Sequence, residues 1–220
     1  MENIISVVLP YWKRQAAAVA GLRSIATQEQ GMALEVILVD DGDPNPFVLP
    51  DDLLFSVKVV RLQEKQASKS ACVPINAGVS VSVGDVVVLS CPEMLHVMPV
   101  FAAMRARLNA LGERGYVSAA IWAPESKVWH AHSSLKRPPL NFCTMLHRSL
   151  WLAAGGMDED YREGYAFEDA DFLNRLKKAG AVFSIEDALV VHHLRDGAKA
   201  AYSREQHERN RLLFESKWKA

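Results

Sequence analysis

Charge of one sign is missing from this sequence: 25 Lys and Arg stand against 26 Asp and Glu, a formal net charge of −1. Without a basic excess or a basic run there is no electrostatic footprint for wrapping nucleic acid, and a charged polymer is not expected as the main partner. Cysteine is scarce as well. Cys72, Cys91 and Cys143 are an odd number with no C-x-x-C spacing, which argues against a disulfide framework or a zinc knuckle and for a reducing compartment. No apolar stretch approaches the roughly 20 residues of a membrane-spanning helix, and no charged leader with a cleavage site is legible. A cytoplasmic location is expected, with peripheral membrane contact open. Internal repeats and low-complexity segments are absent too. What the chain has is apolar content: half of its 220 residues are hydrophobic, enough for one substantial core and so for a single domain over residues 1–220.

The pattern along the chain is that of an α/β protein. "IISVVLP" (Ile4 to Pro10) is a continuously apolar, β-branched run closed by proline, as in a strand covered on both faces of a parallel sheet. Helical spacing over Ala16 to Gln28 and a second buried strand, Leu34 to Asp43, complete a βαβ unit. Strand patterns recur at Val57 to Leu62, Asp85 to Ser90 and Tyr116 to Ala123, with helices within Ala67 to Val83 and from Pro99 to Leu111. These imply a doubly wound, mostly parallel sheet flanked by helices. From Pro124 to Asn141 the chain lacks a period and reads as a long loop. A short helix (His147 to Ala154), a Gly155-Gly156 turn, another helix, strands at Val182 to Ile185 and Leu189 to His192, and a helix from Arg204 then elaborate the first half.

In an open parallel sheet, ligands bind beyond the carboxyl ends of the strands. Those ends carry Pro10 and Tyr11, then Asp40, Asp41 and Asp43, then Ser90 and Glu93. Asp-Gly-Asp-Pro is also good turn chemistry, which accounts for Asp43 better than for Asp40 and Asp41. Glu93 has an alternative as a helix-start acid before Met94 to Val97. A third concentration of acids opens "GYAFEDADFLNRLKKAG". On a helix, Asp169 shares the apolar stripe of Phe172, Leu173, Leu176 and Ala179, whereas Asp171 falls with Arg175 and Lys178 on a face expected to be solvated. Glu168 and Asp169 serve either as helix-start acids or as functional carboxylates. In the long loop, Trp122, Trp129, His130 and His132 supply aromatic faces on which a ligand can pack, Trp129 being the favoured one from its loop placement. His192 and His193 follow a strand, one expected inward and one outward.

Four segments together resemble the family 2 nucleotide-sugar glycosyltransferases with the GT-A fold. "ISVVLPYWKR" is similar to their opening S-V-I-I-P-x-Y-N-R, "EVILVDDGD" to V-D-D-G-S, and "INAGVSVSVGDVVVLS" to R-N-x-G followed by A-x-G-D-Y-I-x-F-L-D. "AAGGMDEDYREGYAFEDADFLNRLKKAG" is similar to G-G-F-D-E and E-D-x-D-L-x-x-R, and also to the galactosyltransferase-type G-E-D-x-D segment, with "HLRD" resembling the H-S-R-D after it. The resemblance implies a GT-A domain with a nucleotide-sugar-binding half (1–123) and an acceptor and catalytic half (124–220). It implies an inverting transfer from a UDP-sugar to an acceptor hydroxyl, in bacterial surface-glycan synthesis. Pro10 and Tyr11 would wall the base, Asp41 with Asp40 would read uracil, Asn76 to Gly78 would lie by the nucleoside, and Asp169 with Glu168 would be the catalytic base pair.

The chain departs from the family where D-x-D should hold a metal. "SCPEMLH" leaves Glu93, with His96 as part of a related N-P-E-x-x-H pattern, and His193 or His192 as the second ligand; carboxylate with imidazole favours Mn²⁺ over Mg²⁺. His96 is alternatively an acceptor-side residue, like Trp129. Ile75 replaces a diphosphate-binding arginine, for which Lys13, Arg14 or Lys69 could substitute. A rival expectation is a non-catalytic nucleotide-sugar-binding or partner subunit with a decayed D-x-D. A flavodoxin-like signalling domain is disfavoured, since no acids cluster near the N-terminus and no late strand ends in lysine.

Overall fold

The structure, a computed structural model, describes residues 4–63, 70–194 and 203–219; Lys69 and the Arg195-Asp196 part of "HLRD" lie outside the described residues. In the first half, β1 (Ile5–Tyr11), α1 (Gln15–Gln28), β2 (Leu34–Asp40), β3 (Val57–Arg61), α2 (Cys72–Ser80) and β4 (Val86–Ser90) form successive βαβ units. Their strands are all parallel, in the order β3-β2-β1-β4. Val7, Leu9 and Val88 pack with Leu22 and Ile25 of α1 on one face, and Val8, Val87 and Leu89 with Ile75 and Val79 of α2 on the other. Cover on both faces is why these strands are continuous apolar runs. A Cβ on Gly78 of α2 would stand 2.4 Å from Val8 Cγ1 and 3.0 Å from Val39 Cγ2. Gly78 is therefore a packing residue between helix and sheet, which accounts for its glycine without a nucleoside beside it.

The second half holds β5 (Met94–His96), α3 (Phe101–Leu111), β6 (Gly115–Ala123), β7 (Val128–Ala131), β8 (Cys143–His147), α4 (Arg148–Ala154), α5 (Glu168–Lys178), β9 (Val182–His193) and α6 (Arg204–Trp218). It continues the same sheet as β4-β8-β6-β9-β5, with β7 hairpinned onto β6. Four elements differ from the sequence reading. "CTMLH" is the antiparallel strand β8, wedged between β4 and β6; its short apolar run lacks a length that separates strand from helix. The long loop contains β7 and a 3-10 turn at Ser133–Leu135. Met94–His96 is a strand, which removes the helix-start reading of Glu93. The two late strands are one, β9, with a shift of register opposite Ala119 and Ala120.

The stripe expected on α5 is buried at Phe172, Leu173 and Leu176 and only half-buried at Asp169, whereas Asp171, expected on a solvated face, is buried. It is 1% exposed, because α6 covers that face: Trp218 Nε1 donates to Asp171 Oδ1 at 2.7 Å and the Tyr161 hydroxyl lies 3.3 Å away. α6 also clamps the entrance to α5. Ala166 and Phe167 both adopt left-handed backbone (φ 63° and 70°), and the fully buried Asn210 of α6 donates to the carbonyls of Ala166 (2.9 Å) and Tyr161 (3.1 Å). Two such residues cost about 1–3 kcal/mol each, which α6 offsets, and their sharp turn aims Glu168 and Asp169 at the sheet.

Candidate active site

Beyond the carboxyl ends of β1 and β2 the chain folds into a dense acidic turn. Asp40 Oδ1 accepts from the Asp43 N–H at 2.9 Å, while Oδ2 accepts from the Phe47 N–H at 3.1 Å and from Arg61 Nη1 at 2.6 Å. Asp43 in turn accepts from the N–H of Lys13, itself left-handed at φ 59°, and so ties the loop after β1 to the turn after β2. Asp40 is therefore committed to the fold, and Asp41 beside it is the turn's remaining candidate for reading a base. Tyr11 packs edge-on against Phe47 with ring centroids 4.9 Å apart, and burial together with the Asp43 and Asp40 charges pushes its phenol up to about 12. Pro10 is partly exposed at the same strand end. Asn76 is also occupied: its amide donates to Met157 O and Glu159 Oε1, both at 2.9 Å, and accepts from the Met157 N–H at 3.0 Å. It staples α2 to the Gly155-Gly156 turn, and these bonds occupy its amide.

At the end of β4, Glu93 sits in a cluster of opposite charge. Arg14 Nη1 bonds Glu93 Oε1, and His193 Nε2 lies 3.4 Å from the same oxygen. Burial works against the Glu93 charge, yet the His193 hydrogen bond and Arg14 outweigh it and hold the carboxyl below its usual range. The antiparallel pairing of β5 with β9 sets this meeting, since Met94 lies opposite His193. His192, next along β9, projects from the other face of the strand by the period of two and is not part of the cluster. His96 does not join it either. It is 2% exposed, with Nδ1 2.9 Å from Glu29 Oε1, and Glu29 accepts from the Val100 and Phe101 N–H groups that open α3. His96 is a core residue beneath α1 and α3, so both its expected metal-pattern role and its acceptor-side role are corrected.

Asp169 and Glu168 open α5 on the same side. Asn141 Nδ2 donates to Asp169 Oδ1 at 2.8 Å, and the Tyr116 hydroxyl donates to Asn141 Oδ1 at 2.6 Å. Burial raises the Asp169 carboxyl, and Asn141 opposes that rise. Burial and the neighbouring Asp169 charge push Glu168 up to about 8, against its own N–H and that of Ala71. Cys91 links the two acidic groups: after burial, the charges of Glu93 and Asp169 both push its thiol up. Ser90 Oγ and the Cys91 N–H both bond Phe142 O at 3.0 Å, so the segment carrying Asn141 is laced to the end of β4.

Of the expected residues, the structure brings Glu93 to His193 and sets Glu168 beside Asp169, with Asp41, Tyr11 and Pro10 at the ends of β1 and β2. Trp129 stacks on Trp122 (4.8 Å) and His132 (4.6 Å) in the β6–β7 hairpin, while its neighbour His130 faces the His193 ring at 5.1 Å. Asn141 and Tyr116 were not singled out by the sequence. The available signal was an asparagine closing the "KRPPLN" stretch just before a strand.

No protein-family model and no curated protein matches the sequence. The structure is similar to that of GalNAc-T7 with UDP, GalNAc and Mn²⁺ (TM-score 0.71, 13% identity, 90% of this chain and 45% of that one). S. aureus TarS gives a TM-score of 0.69 at 14% identity over 89% of this chain and 37% of its own. Mannosyltransferase PcManGT from Pyrobaculum calidifontis, in complex with GDP-Man and Mn²⁺, gives 0.64 at 18% identity over 90% of this chain and 58% of its own. The chain thus spans 37–58% of the length of these neighbours. At identities of 13–18% the likeness is one of fold, and with the mixed sheet, its helical layers and the strand-end site in view, the chain has the GT-A glycosyltransferase fold.

Proposed function

We propose that this domain transfers a sugar from a nucleotide-sugar donor, a UDP-sugar, to an acceptor hydroxyl with inversion. The observation that carries the reading is Asp169: a half-buried carboxylate held by Asn141, with Glu168 beside it and Glu93 across Cys91. A carboxylate withdrawn from water is costly unless it has partners, and an acceptor hydroxyl gives Asp169 a second one. In the step, the acceptor oxygen attacks the anomeric carbon as Asp169 takes its proton. The bond from that carbon to the diphosphate oxygen breaks, and the nucleoside diphosphate leaves. Burial raises the Asp169 carboxyl, the direction in which a general base gains strength. In this reading Asp41, near Tyr11 and Pro10 at the strand ends, would accept from a uracil N–H.

Two of the three neighbours carry Mn²⁺. Here Glu93 Oε1 and His193 Nε2, 3.4 Å apart, suit two adjacent ligands of one ion, and among the described residues no group of three His, Cys, Asp or Glu completes a cage. The pair fits Mn²⁺ as a partial shell, the remainder left to diphosphate oxygens and water, and Arg14 has to release Glu93 for the ion to enter. When bound, the ion would supply charge stabilisation to the departing diphosphate. The Arg14 contact also favours a second reading, in which the guanidinium is itself the cation that faces the diphosphate.

The test is Asp169→Asn, assayed by nucleoside diphosphate release from UDP- and GDP-sugars with saccharide acceptors. General-base catalysis is worth about 10² to 10⁴-fold, so turnover is expected to fall by that factor with nucleotide affinity kept. Undiminished turnover would overturn the assignment. A protein that binds nucleotide sugar and, in its wild-type form, transfers nothing would instead be the non-catalytic subunit.

A further inference from the structure

Two half-buried carboxyls adjoin at the start of α5, and something must decide which of them carries the charge. The relay from β6 does so by its donor chemistry. Tyr116 is fully buried, and burial above all keeps its phenol protonated. Its O–H donates to Asn141 Oδ1 at 2.6 Å, so the Asn141 amide must present its NH₂ to Asp169, where it stands 2.8 Å from Oδ1. An NH₂ group can only donate, and a donor on that oxygen favours the ionised form. Glu168 has the opposite arrangement at one end: its Oε2 is buried and has no hydrogen-bond partner, a place for a proton.

We infer that Asn141, oriented by Tyr116, is the positioning residue that holds Asp169 ionised and aimed while the shared proton resides on Glu168. The inference rests on the reading of Asp169 as the base, and it adds two residues that lie 28 and 53 positions away on another part of the chain. Among the described residues, the other ionisable groups that face the pair are Cys91, from the end of β4, Cys72, from the start of α2, and Tyr116 itself. Glu93 and Arg14 act from beyond Cys91. A neutral amide at position 141 is therefore the one group reaching Asp169 that lowers its proton affinity without adding a charge.

The experiment is a ¹³C-carboxyl NMR titration, with the Asp169 resonance identified by its loss in Asp169→Asn, on wild type, Asn141→Ala and Tyr116→Phe. A hydrogen bond to a charged group is worth about 1.5–3 kcal/mol, and 1.36 kcal/mol corresponds to one pH unit. The Asp169 midpoint should rise by about 1–2 pH units in Asn141→Ala and by less in Tyr116→Phe, where the amide can turn over. The acid limb of kcat/KM for nucleoside diphosphate release should move by the same amount. Tyr116→Phe keeps the ring shape and decides the matter if Asn141→Ala does not fold. Unmoved midpoints in folded variants would overturn the inference while leaving Asp169 as the base. Full turnover in Asp169→Asn would overturn the base reading, which the titration alone does not touch.

Discussion

Replacing Arg14 by alanine separates the two accounts of the leaving-group side. In the structure Arg14 and His193 share one oxygen of Glu93, and the Arg14 and Glu93 side chains are 31% and 9% exposed. A metal entering at Glu93 must first break the guanidinium contact. Hydrogen bonds to charged groups contribute about 1.5–3 kcal/mol in net terms, and 1.4 kcal/mol is a factor of ten in affinity. Arg14→Ala should therefore bind Mn²⁺ about 10 to 150 times more tightly than wild type. The assay is calorimetric titration of MnCl₂ into each protein, repeated with Glu93→Gln, which should lose the heat altogether. Equal Mn²⁺ affinity in wild type and Arg14→Ala would refute the claim that the guanidinium and the ion compete. If UDP binds wild type equally well in Mn²⁺ and in EDTA, and Arg14→Ala loses that binding, Arg14 is the cation that the diphosphate meets.

Two perturbations test the burial of Asp171 and the packing of Gly78. Burial above all raises the Asp171 carboxyl, and Asp158 adds to the rise, against the Trp218 hydrogen bond. A carboxyl raised on folding binds more protons in the folded state, so its contribution to stability is lost as pH rises through the folded-state pKa. Asp171→Asn keeps an acceptor for Trp218 and cannot ionise, so its Tm relative to wild type should be higher at about pH 8 than at about pH 4.5. A difference that runs the other way, read by thermal unfolding, would mean that Arg175 and Lys217 hold Asp171 as a stabilising ion. Gly78→Val would drive a Cβ into Val8, 2.4 Å away, and overpacking of this kind costs about 1–3 kcal/mol. Its Tm should fall while the UDP dissociation constant stays put; a selective loss of UDP binding would put Gly78 at the nucleotide site.

The first half of the fold was legible because each of its strands announces its own burial. β1, β2 and β4 are apolar runs that end in proline, acids or serine, and the helices between them carry their own periodicity, so order and direction follow from local pattern. β8 was not legible for a related reason. Five residues, "CTMLH", between a proline-rich stretch and a helix have neither the length nor the alternation to declare a strand, and their place is decided by the open edges of β4 and β6 that they fill. The long loop was misread in the same way: β7 is a strand only because β6 runs on to Ala123 and gives it an edge.

Within the site, distance along the chain separates what could be read from what could not. Glu168 and Asp169 stood out because two acids at a helix start, one on the apolar stripe, are in local conflict with their surroundings. What resolves the conflict comes from far away: Asn141 is 28 residues upstream of Asp169, Trp218 is 47 residues beyond Asp171, and Glu93 and His193 are 100 apart. Periodicity puts Asp169 on the apolar stripe and Asp171 off it, yet Asp169 ends up half-buried beside a loop and Asp171 buried under the last helix. The donors sort them. Asp171 receives an indole N–H from α6 and lies under a tryptophan, where no acceptor can follow. Asp169 receives an amide from the loop before β8 on one oxygen, beside a strand end that also carries Glu93. The same type of residue, two positions apart on one helix, thus becomes a structural acid in one case and a candidate base in the other, according to which distant element covers it.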